Sequence, residues 1–514
     1  MGDKTMTLRR VLVKDLNITD PLMLENCKIC GWINSIQSNL VGIRDYTGLI
    51  TVINNTEKQL NIGDAIEVKV EVLNHTLHLK EVIEHNRFLA KKKNSYIKFR
   101  DHEFQEILKF TNKVEQSVRS FLFNQDFIEI NTPVLWNSIK EYGQLELAVI
   151  HPEFRKSMHS LVQSPLGPSL ISAIGGLEKT FQFAKCFRWE AEELTPYRSL
   201  EFRQLHLTMA FTSLEEGRKL VESLIKHLFK ELKYPEPKFY HLSYEQSYKY
   251  YGTDNPDTRF KEILTPIIPT EFGLSKDYKC LVIKDSVSEQ MVNKVKPVLE
   301  KFFSEAYIIK NESKKATDIK IKWINELTNN SWNLFFLIKV DSQEKKCLFE
   351  KFRQILFKKL YGACIDYECV WIDEYPYLFS EEEKGTEFAF KKHESRGLFS
   401  KTYLKENGEL YSYSHDLVIN GIEIASGGLK ENEVEKFKMN LVKSNVYKYT
   451  KGCEYNYHIE ALKQGAPKLY TLAIGLERLL ALLLKKSSIQ EVMLFPKDGE
   501  GKCDIITPSL AKNQ

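Results

Sequence analysis

Phe187-Arg188-Trp189-Glu190, followed after a polar stretch by Glu201-Phe202-Arg203-Gln204, and Gly475-Leu476-Glu477-Arg478, which opens an apolar run, are the segments from which this chain is read. An arginine held on a strand presents a planar fork of donors that suits a carboxylate and a phosphate together, and Arg188 has that place. The polar loop 191–200 predicts a hairpin that returns Phe202 to the sheet, where an aromatic ring stacks on adenine. Arg478 is expected to cover the other adenine face and pair with the γ-phosphate. Glu190 is expected to accept from the adenine amino group. Together the segments predict an ATP site that activates a carboxylic acid, working by positioning and charge stabilisation. The plainer reading makes these ordinary surface arginines of a hairpin and a helix, and Arg188 taken alone reads equally well that way.

The composition suits a large globular chain. At 514 residues several domains are expected, and 43% hydrophobic with 28% charged content is ordinary. The balance of 73 Lys+Arg against 69 Asp+Glu leaves +4, which by itself does not argue for nucleic acid. No apolar run is long enough to span a bilayer, so no membrane partner is expected. Met1-Gly2-Asp3-Lys4 lacks the apolar core of a signal peptide, and Met6 stands where myristoylation needs Ser or Thr. Nine scattered cysteines point to a reducing compartment, the cytoplasm or an organelle. Cys27 and Cys30 form a lone Cys-x-x-Cys on a predicted strand, with no second pair to complete a zinc set.

Hydrophobic periodicity divides the chain. Short alternating runs at 28–33, 42–45, 49–53 and 65–70, parted by turn residues, predict a small β-barrel over 1–90. A solvated linker follows over 91–103. Ile107, Phe110, Val114, Val118 and Phe121 recur at three and four, predicting a helix that ends at Asn124-Gln125-Asp126. Phe127–Ile130 reads as a strand running into Thr132-Pro133. Residues 104–260 and 366–514 read as two parts of one core, and 261–365 as an inserted α+β unit with a helix from Gln343 to Leu360. In the second part, strands at 369–372, 417–419 and 422–424 are expected, and a long helix over Leu472–Leu484. The fold class expected is therefore α+β and multidomain.

Asp416 and Glu423 flank an Asn420-Gly421 turn. Seven residues apart across a tight hairpin, two carboxylates converge on one side. With phosphates nearby, such a pair holds Mg²⁺, waters and phosphate oxygens completing the octahedron. Alone, two solvated acids on a hairpin are the plainer reading; the position between the two arginine segments favours the metal.

With these motifs in place, the chain resembles a class II aminoacyl-tRNA synthetase, and specifically the bacterial-type aspartyl-tRNA synthetases, over nearly its whole length. Phe127–Leu135 resembles the class's first motif, which forms the dimer interface. Gln163-Ser164-Pro165 resembles a signature of the amino-acid pocket. Phe181–Gln204 and Gly475–Leu482 resemble the second and third motifs. Leu242–Phe260, with Tyr251-Gly252-Thr253-Asp254-Asn255-Pro256-Asp257-Thr258-Arg259-Phe260, resembles the stretch before the bacterial-type insert, and Phe495-Pro496-Lys497 the C-terminal signature. The resemblance implies an OB-fold anticodon-binding barrel, an antiparallel catalytic sheet, ATP and Mg²⁺ as cofactors, and a homodimer. It implies Arg188, Glu190, Phe202 and Arg478 as ATP contacts and Asp416 and Glu423 as magnesium ligands, with Glu423 also reaching ATP.

The acid-binding positions depart from the family. Its lysine after Gln-Ser-Pro and its arginine after the glycine-rich strand hold the aspartate side chain; here Ser169 and Lys430 stand there. Its α-amino contacts, a glutamine after Gln-Ser-Pro and an aspartate after Glu-Phe-x-Gln, are Leu166 and His206. The flipping-loop signature is absent around Ser138–Gly143, and the histidine pair before the third motif is replaced by Lys391-Lys392-His393-Glu394. Loss of a charge opposite a substrate carboxylate removes a pair worth roughly 2–5 kcal/mol. The expected substrate contacts are Ser164, Leu166, Ser169, Gln204, His206 and Lys430. His206 reads either as a pocket-floor contact to a carboxylate or amine, or as a packed histidine on a sheet. The barrel carries Asn34-Ser35-Ile36-Gln37-Ser38 where relatives carry arginines, which predicts weak tRNA binding unless Arg44, Lys69, Lys80 and Lys91–Lys93 compensate.

Three readings follow. A paralogue that adenylates a different acid and passes it to an amine or another acceptor comes slightly ahead. A divergent aspartate–tRNA ligase comes next. A non-catalytic tRNA- or protein-binding paralogue comes third, because the ATP set is intact.

Overall fold

The computed structural model describes residues 8–17, 24, 27–89, 95–137, 147–149, 159–189, 196–259, 265–266, 278–284, 288–310, 333–340, 342–362, 367–378, 397–443, 455–498 and 501–503. The chain forms two compact units, residues 1–111 with 502–514, and residues 112–501.

In the first unit β1 (Cys27–Gln37), β2 (Leu40–Arg44), β3 (Leu49–Asn54), β4 (Ala65–Leu73) and β5 (Thr76–Asn86) form a sheet in the order β1-β2-β3-β5-β4. β4 also pairs with β1, so the sheet closes into the five-stranded barrel of an OB-fold. Alternation aims Ile29, Ile33, Val41, Ile43, Val52, Ile66, Val68, Leu77 and Leu79 into one core. β5 is the strand that periodicity missed. Only Leu77 and Leu79 are buried along it, and Lys80–Asn86 has no apolar face to count. Cys27 and Cys30 lie on β1 as free thiols.

The second unit is built on an eight-stranded sheet. After helix α1 (His102–Phe123), the short strand β6 (Ile128–Glu129) falls within the strand expected over Phe127–Ile130. Helix α2 (Leu166–Ile174), β7 (Lys179–Phe187) and β8 (Glu201–Ala210) follow, then α3 (Leu214–Glu231), β9 (Lys238–Ser243) and α4 (Tyr244–Tyr251). The inserted unit contributes β10 (Thr265–Pro266), β11 (Tyr278–Ile283), α5 (Glu289–Phe302), β12 (Ala306–Lys310), β13 (Leu334–Lys339) and α6 (Gln343–Tyr361). Its sheet runs β10-β11-β13-β12 around a core that includes Leu281, Val295, Leu299, Phe336 and Phe352. The chain then returns with β14 (Glu368–Asp373), β15 (Ser414–Ile419), β16 (Ile422–Lys430), α7 (Val434–Lys443), α8 (Asn456–Leu462), β17 (Leu469–Gly475) and α9 (Leu476–Leu483). The central order is β9-β14-β15-β16-β17-β8-β7-β6, antiparallel except at the two edge pairs.

One expectation is corrected here. Leu472–Gly475 is strand, and the helix begins at Leu476. A fully buried strand reads as a continuous apolar run that periodicity cannot tell from a helix. Gly475, with φ −67° and ψ 106°, is the extended residue at which one becomes the other.

Strand register sorts the sheet into two faces. Leu205, Leu207, Leu472 and Ile474 point to one side, where α3 and α9 cover them. Gly217 of α3 packs so closely on Tyr470 that a Cβ there would lie 2.5 Å from the ring. Gln204, His206, Thr208, Thr471, Ala473, Ser426, Gly428, Asp416 and Lys430 share the other face. α2 covers one end of it. α4 lies over the other, where Tyr244 packs with Val370, Ile372 and Val418.

Among the described residues no helix is long and apolar enough to cross a membrane.

Candidate active site

The β7–β8 hairpin pairs Cys186 with Phe202 and Phe187 with Glu201, as the polar loop predicted. Arg188 lies one residue past β7 rather than on it, and its backbone N–H donates to Leu200 O at 3.0 Å. Its Nε donates to Gln163 O at 3.2 Å, and its guanidinium carbon lies 5.2 Å from the centre of the Phe202 ring. It is therefore Arg188 that covers Phe202.

Arg478, in the first turn of α9, donates from Nε to Tyr197 O at 3.1 Å and from a terminal nitrogen to Glu423 O at 3.1 Å. The Glu423 carboxylate is 3.6 Å away. Backbone carbonyls of Gln163, Tyr197 and Glu423 thus help to set the two arginines. Glu190 lies outside the described residues.

Two residues of the quoted segments that carried no assigned role tie those segments together. Arg203 Nε donates to Glu477 Oε1 at 3.0 Å, Arg203 N to Glu477 Oε2 at 2.9 Å, and an Arg203 terminal nitrogen to Glu115 Oε1 at 2.7 Å. Burial raises the Glu477 carboxyl, and the Arg203 charge opposes that rise. Opposite charges in both segments were the available signal; their pairing across 274 positions was not readable.

Asn420 and Gly421 have φ of 52° and 80°, the left-handed pair of a tight hairpin. Asp416 pairs with Ser426, and after a bulge Val418 pairs with Glu423. Since 416 and 418 share a face of β15, the two carboxylates lie on one face. Asp416 is buried and accepts from the Tyr375 hydroxyl at 2.7 Å, while Glu423 is partly exposed beside Arg478. Among the described residues no third His, Cys, Asp or Glu joins a metal cluster. Two carboxylates suit a hard cation whose other ligands are waters and phosphates.

At the far end of this face the departing positions meet. Ser169 Oγ donates to Leu166 O at 2.9 Å and lies 3.0 Å from His206 Nε2. His206 is 4% exposed. Burial, with Lys430 on the same face, pushes its pKa down to about 3, so the imidazole is neutral. Lys430 is itself 6% exposed. Along β8, Gln204 Nε2, His206 Nδ1 and Thr208 Oγ1 are buried and have no hydrogen-bond partner among the described residues. Such a row is uncommon in a folded core. Leu166 packs with Leu170, Phe399 and Tyr455, and Ser164 Oγ accepts from Leu166 N at 3.1 Å at the start of α2. Ser169, Gln204, His206 and Lys430 are thus brought to one surface, while Ser164 and Leu166 shape the helix beside it. Ser138–Gly143 and Lys391–Glu394 fall outside the described residues.

In the barrel Lys69 lies 2.9 Å from Glu81 and Lys80 3.6 Å from Glu71, and Lys28 pairs with Glu67.

Comparison with known proteins agrees with this architecture. Aspartate–tRNA ligase of Buchnera aphidicola from Schizaphis graminum is 27% identical over 94% of each chain. Aspartate–tRNA(Asp/Asn) ligase of Borreliella afzelii is 27% identical over 94% of this chain and 86% of its own. Among solved structures, asparaginyl-tRNA synthetase of Pyrococcus horikoshii, complexed with asparaginyl-adenylate, shares the fold with a TM-score of 0.55 at 15% identity, over 95% of this chain and 97% of its own. The Entamoeba histolytica asparaginyl-tRNA synthetase complexed with asparaginyl-adenylate gives 0.57 at 15%, over 97% and 100%. The model of class II tRNA synthetases (D, K and N) matches residues 89–499. With the hairpin, the closing helix and the barrel all in place, this chain belongs to the class II tRNA synthetases of the D, K and N group.

Proposed function

We propose that this protein joins a carboxylic acid to ATP as an acyl-adenylate, releasing pyrophosphate, and passes the acyl group to an acceptor, with an acid specificity other than aspartate's. The observation that carries the proposal is one sheet face with an arginine-lined end and a rewritten end. At the first, Arg188 would bind the reacting carboxylate and the α-phosphate, Phe202 the adenine, and Arg478 the γ-phosphate, with Glu190 on the adenine amino group. Asp416 and Glu423 would hold Mg²⁺, which when bound offsets the charge of the phosphates. At the other end, Ser169, His206 and Lys430 stand where the family reads aspartate. Gln204 completes the acid surface, with Ser164 and Leu166 forming its edge.

The acceptor is a tRNA or a smaller amine. The barrel lysines paired with glutamates on neighbouring strands support weak tRNA binding, because those charges are already offset. Exposed Phe123, Ile128, Val134 and Leu135 around the first motif support a homodimer with that surface buried. A reducing compartment, cytoplasmic or organellar, suits the nine cysteines.

Acid-dependent ATP–pyrophosphate exchange with Mg²⁺ tests the proposal. Exchange should fall at least about 100-fold in Arg188→Ala and Arg478→Ala, in the range of lost transition-state donors. Unchanged exchange in Arg188→Ala would remove that residue from the chemistry. End-to-end alignment with curated aspartate–tRNA ligases favours a second reading, aspartate charging of tRNA. Exchange with aspartate alone, followed by aspartylation of tRNA, would establish it.

A further inference from the structure

The hydrogen bonds around His206 decide what the acid-binding end asks of its ligand. Burial keeps the imidazole neutral, so one ring nitrogen carries a proton and the other is bare. Ser169 decides which. A serine hydroxyl has one proton. Leu166 O, 2.9 Å from Ser169 Oγ, can only accept, so the proton is directed there. Toward His206 Nε2, 3.0 Å away, Ser169 is left as the acceptor. The imidazole therefore carries its proton on Nε2, and Nδ1 presents a lone pair. With the opposite tautomer the single serine proton would have to serve both contacts.

Ser169 is itself held in place. It is buried on α2, a helix packed on β8 and anchored by Leu166, Leu170 and Ala173 in a core with Phe399 and Phe437. The state of a side chain on the sheet is thus set from the helix above it.

Nδ1 is buried and has no hydrogen-bond partner among the described residues. A lone pair repels a carboxylate oxygen and accepts from N–H or O–H. Two residues back on the same face, Gln204 Nε2 is also buried without a partner among the described residues, and it offers the opposite, a donor. Gln204 lies nearer to Phe202 and the Arg188 end. An acid with a carboxylate oxygen at Gln204 and an N–H or O–H farther along β8 satisfies both groups.

We infer that Ser169 is a positioning residue that fixes His206 as the Nε2–H tautomer, and that His206 Nδ1 selects acids bringing an N–H or O–H to it and rejects a carboxylate there. This rests on the adenylation reading and names the feature by which its acid is chosen. Amine and hydroxyl share the chemistry that is read, and the test carries both.

The full chain is offered each amino acid beside the 2-hydroxy acid and the unsubstituted acid of the same skeleton, aspartate, malate and succinate among them. The assay is ATP–pyrophosphate exchange with Mg²⁺. On the skeleton giving the fastest exchange, the better donor-bearing acid should exceed the unsubstituted one at least about tenfold in kcat/KM, the range of one unmet hydrogen bond. Whether the amine or the hydroxyl leads identifies the donor, and either supports the inference. An unsubstituted acid equal to both overturns it and leaves adenylation standing. Silence with every acid overturns the adenylation reading and this selection with it.

Two further readouts assign the effect to these residues. In the chain labelled with ¹⁵N at its histidines, the His206 signals are identified by their loss in His206→Gln. They should show Nε2 protonated and Nδ1 bare, and the reverse tautomer overturns the inference whatever the exchange shows. Ser169→Ala should mix the tautomers and shrink the donor advantage at least about threefold, with KM for ATP unchanged. Ser169→Thr, which keeps the hydroxyl, should restore both. A tautomer and a donor preference indifferent to Ser169→Ala overturn the role of Ser169.

Discussion

Arg353→Met should loosen the attachment of the inserted unit to the Asn420-Gly421 hairpin, and the structure sets the size of the effect. Arg353 on α6 is wholly buried. Its Nε donates to Glu350 Oε2 at 2.6 Å, and one terminal nitrogen donates to Glu350 Oε1 at 2.8 Å and to Asp257 O at 2.6 Å. Its guanidinium carbon lies 4.9 Å from the Tyr251 ring centre. Glu350 also receives Asp257 N at 3.3 Å and Gln354 Nε2 at 3.1 Å. Gln354 in turn sits against the hairpin turn, where a Cβ on Gly421 would lie 2.8 Å from Gln354 Nε2. Methionine fills much of the volume but strands the Glu350 carboxylate and one carbonyl. Removing one partner of a buried pair costs about 3–5 kcal/mol, whereas replacing both is often close to neutral.

Hydrogen exchange of peptides covering 343–361 should therefore show an opening free energy lower by about 3–5 kcal/mol. The double variant Glu350→Leu with Arg353→Met should recover most of the loss. The pH dependence has a defined sign. Burial raises the Glu350 carboxyl and Arg353 opposes that rise, so the single variant raises it further. A carboxyl raised in the folded state binds a proton more readily there than when unfolded. The deficit of the variant should then shrink as pH falls through the raised Glu350 value, and be fully expressed above it. A loss below about 1 kcal/mol, or a double variant worse than the single, would refute the assignment of this cluster as a lock.

Three further outcomes are expected. His206 is held near pKa 3 when folded and titrates near 6.5 when unfolded, so folding should lose about 1.4 kcal/mol per pH unit between those values; His206→Gln should flatten the acid limb of a stability–pH curve, and an unchanged limb would contradict the burial argument. Gly428 has φ of 141° and a Cβ there would lie 2.2 Å from Tyr413 O, so Gly428→Ala should cost more than about 2 kcal/mol in thermal unfolding. Phe202→Ala should raise KM for ATP about tenfold, within the 1–3 kcal/mol of base stacking, with the acid KM little changed; equal effects on both would deny Phe202 a specific place.

Local pattern was legible wherever the physics is local. Alternation predicted four barrel strands because each needs only its own period. The Asn420-Gly421 pair announced its hairpin because both φ values are positive and few other residues accept that. The polar loop returned Phe202 beside Arg188 as expected.

What failed was pattern without contrast. β5 is too polar to show a face, and Leu469–Gly475, buried on both sides, reads as easily as helix. The tertiary structure alone decided the rest. Arg203 meets Glu477 because β8 pairs with β17, Gln204 facing Gly475, and nothing near either residue encodes that partner. Ser169, His206 and Lys430 reach one surface from a helix and two strands of a sheet whose register depends on packing along its whole length. The sequence by itself determined which residue types each segment carries and most of the local elements that hold them. Which segments share a surface was decided by long-range pairing, because periodicity reports the environment of a residue and not its partner.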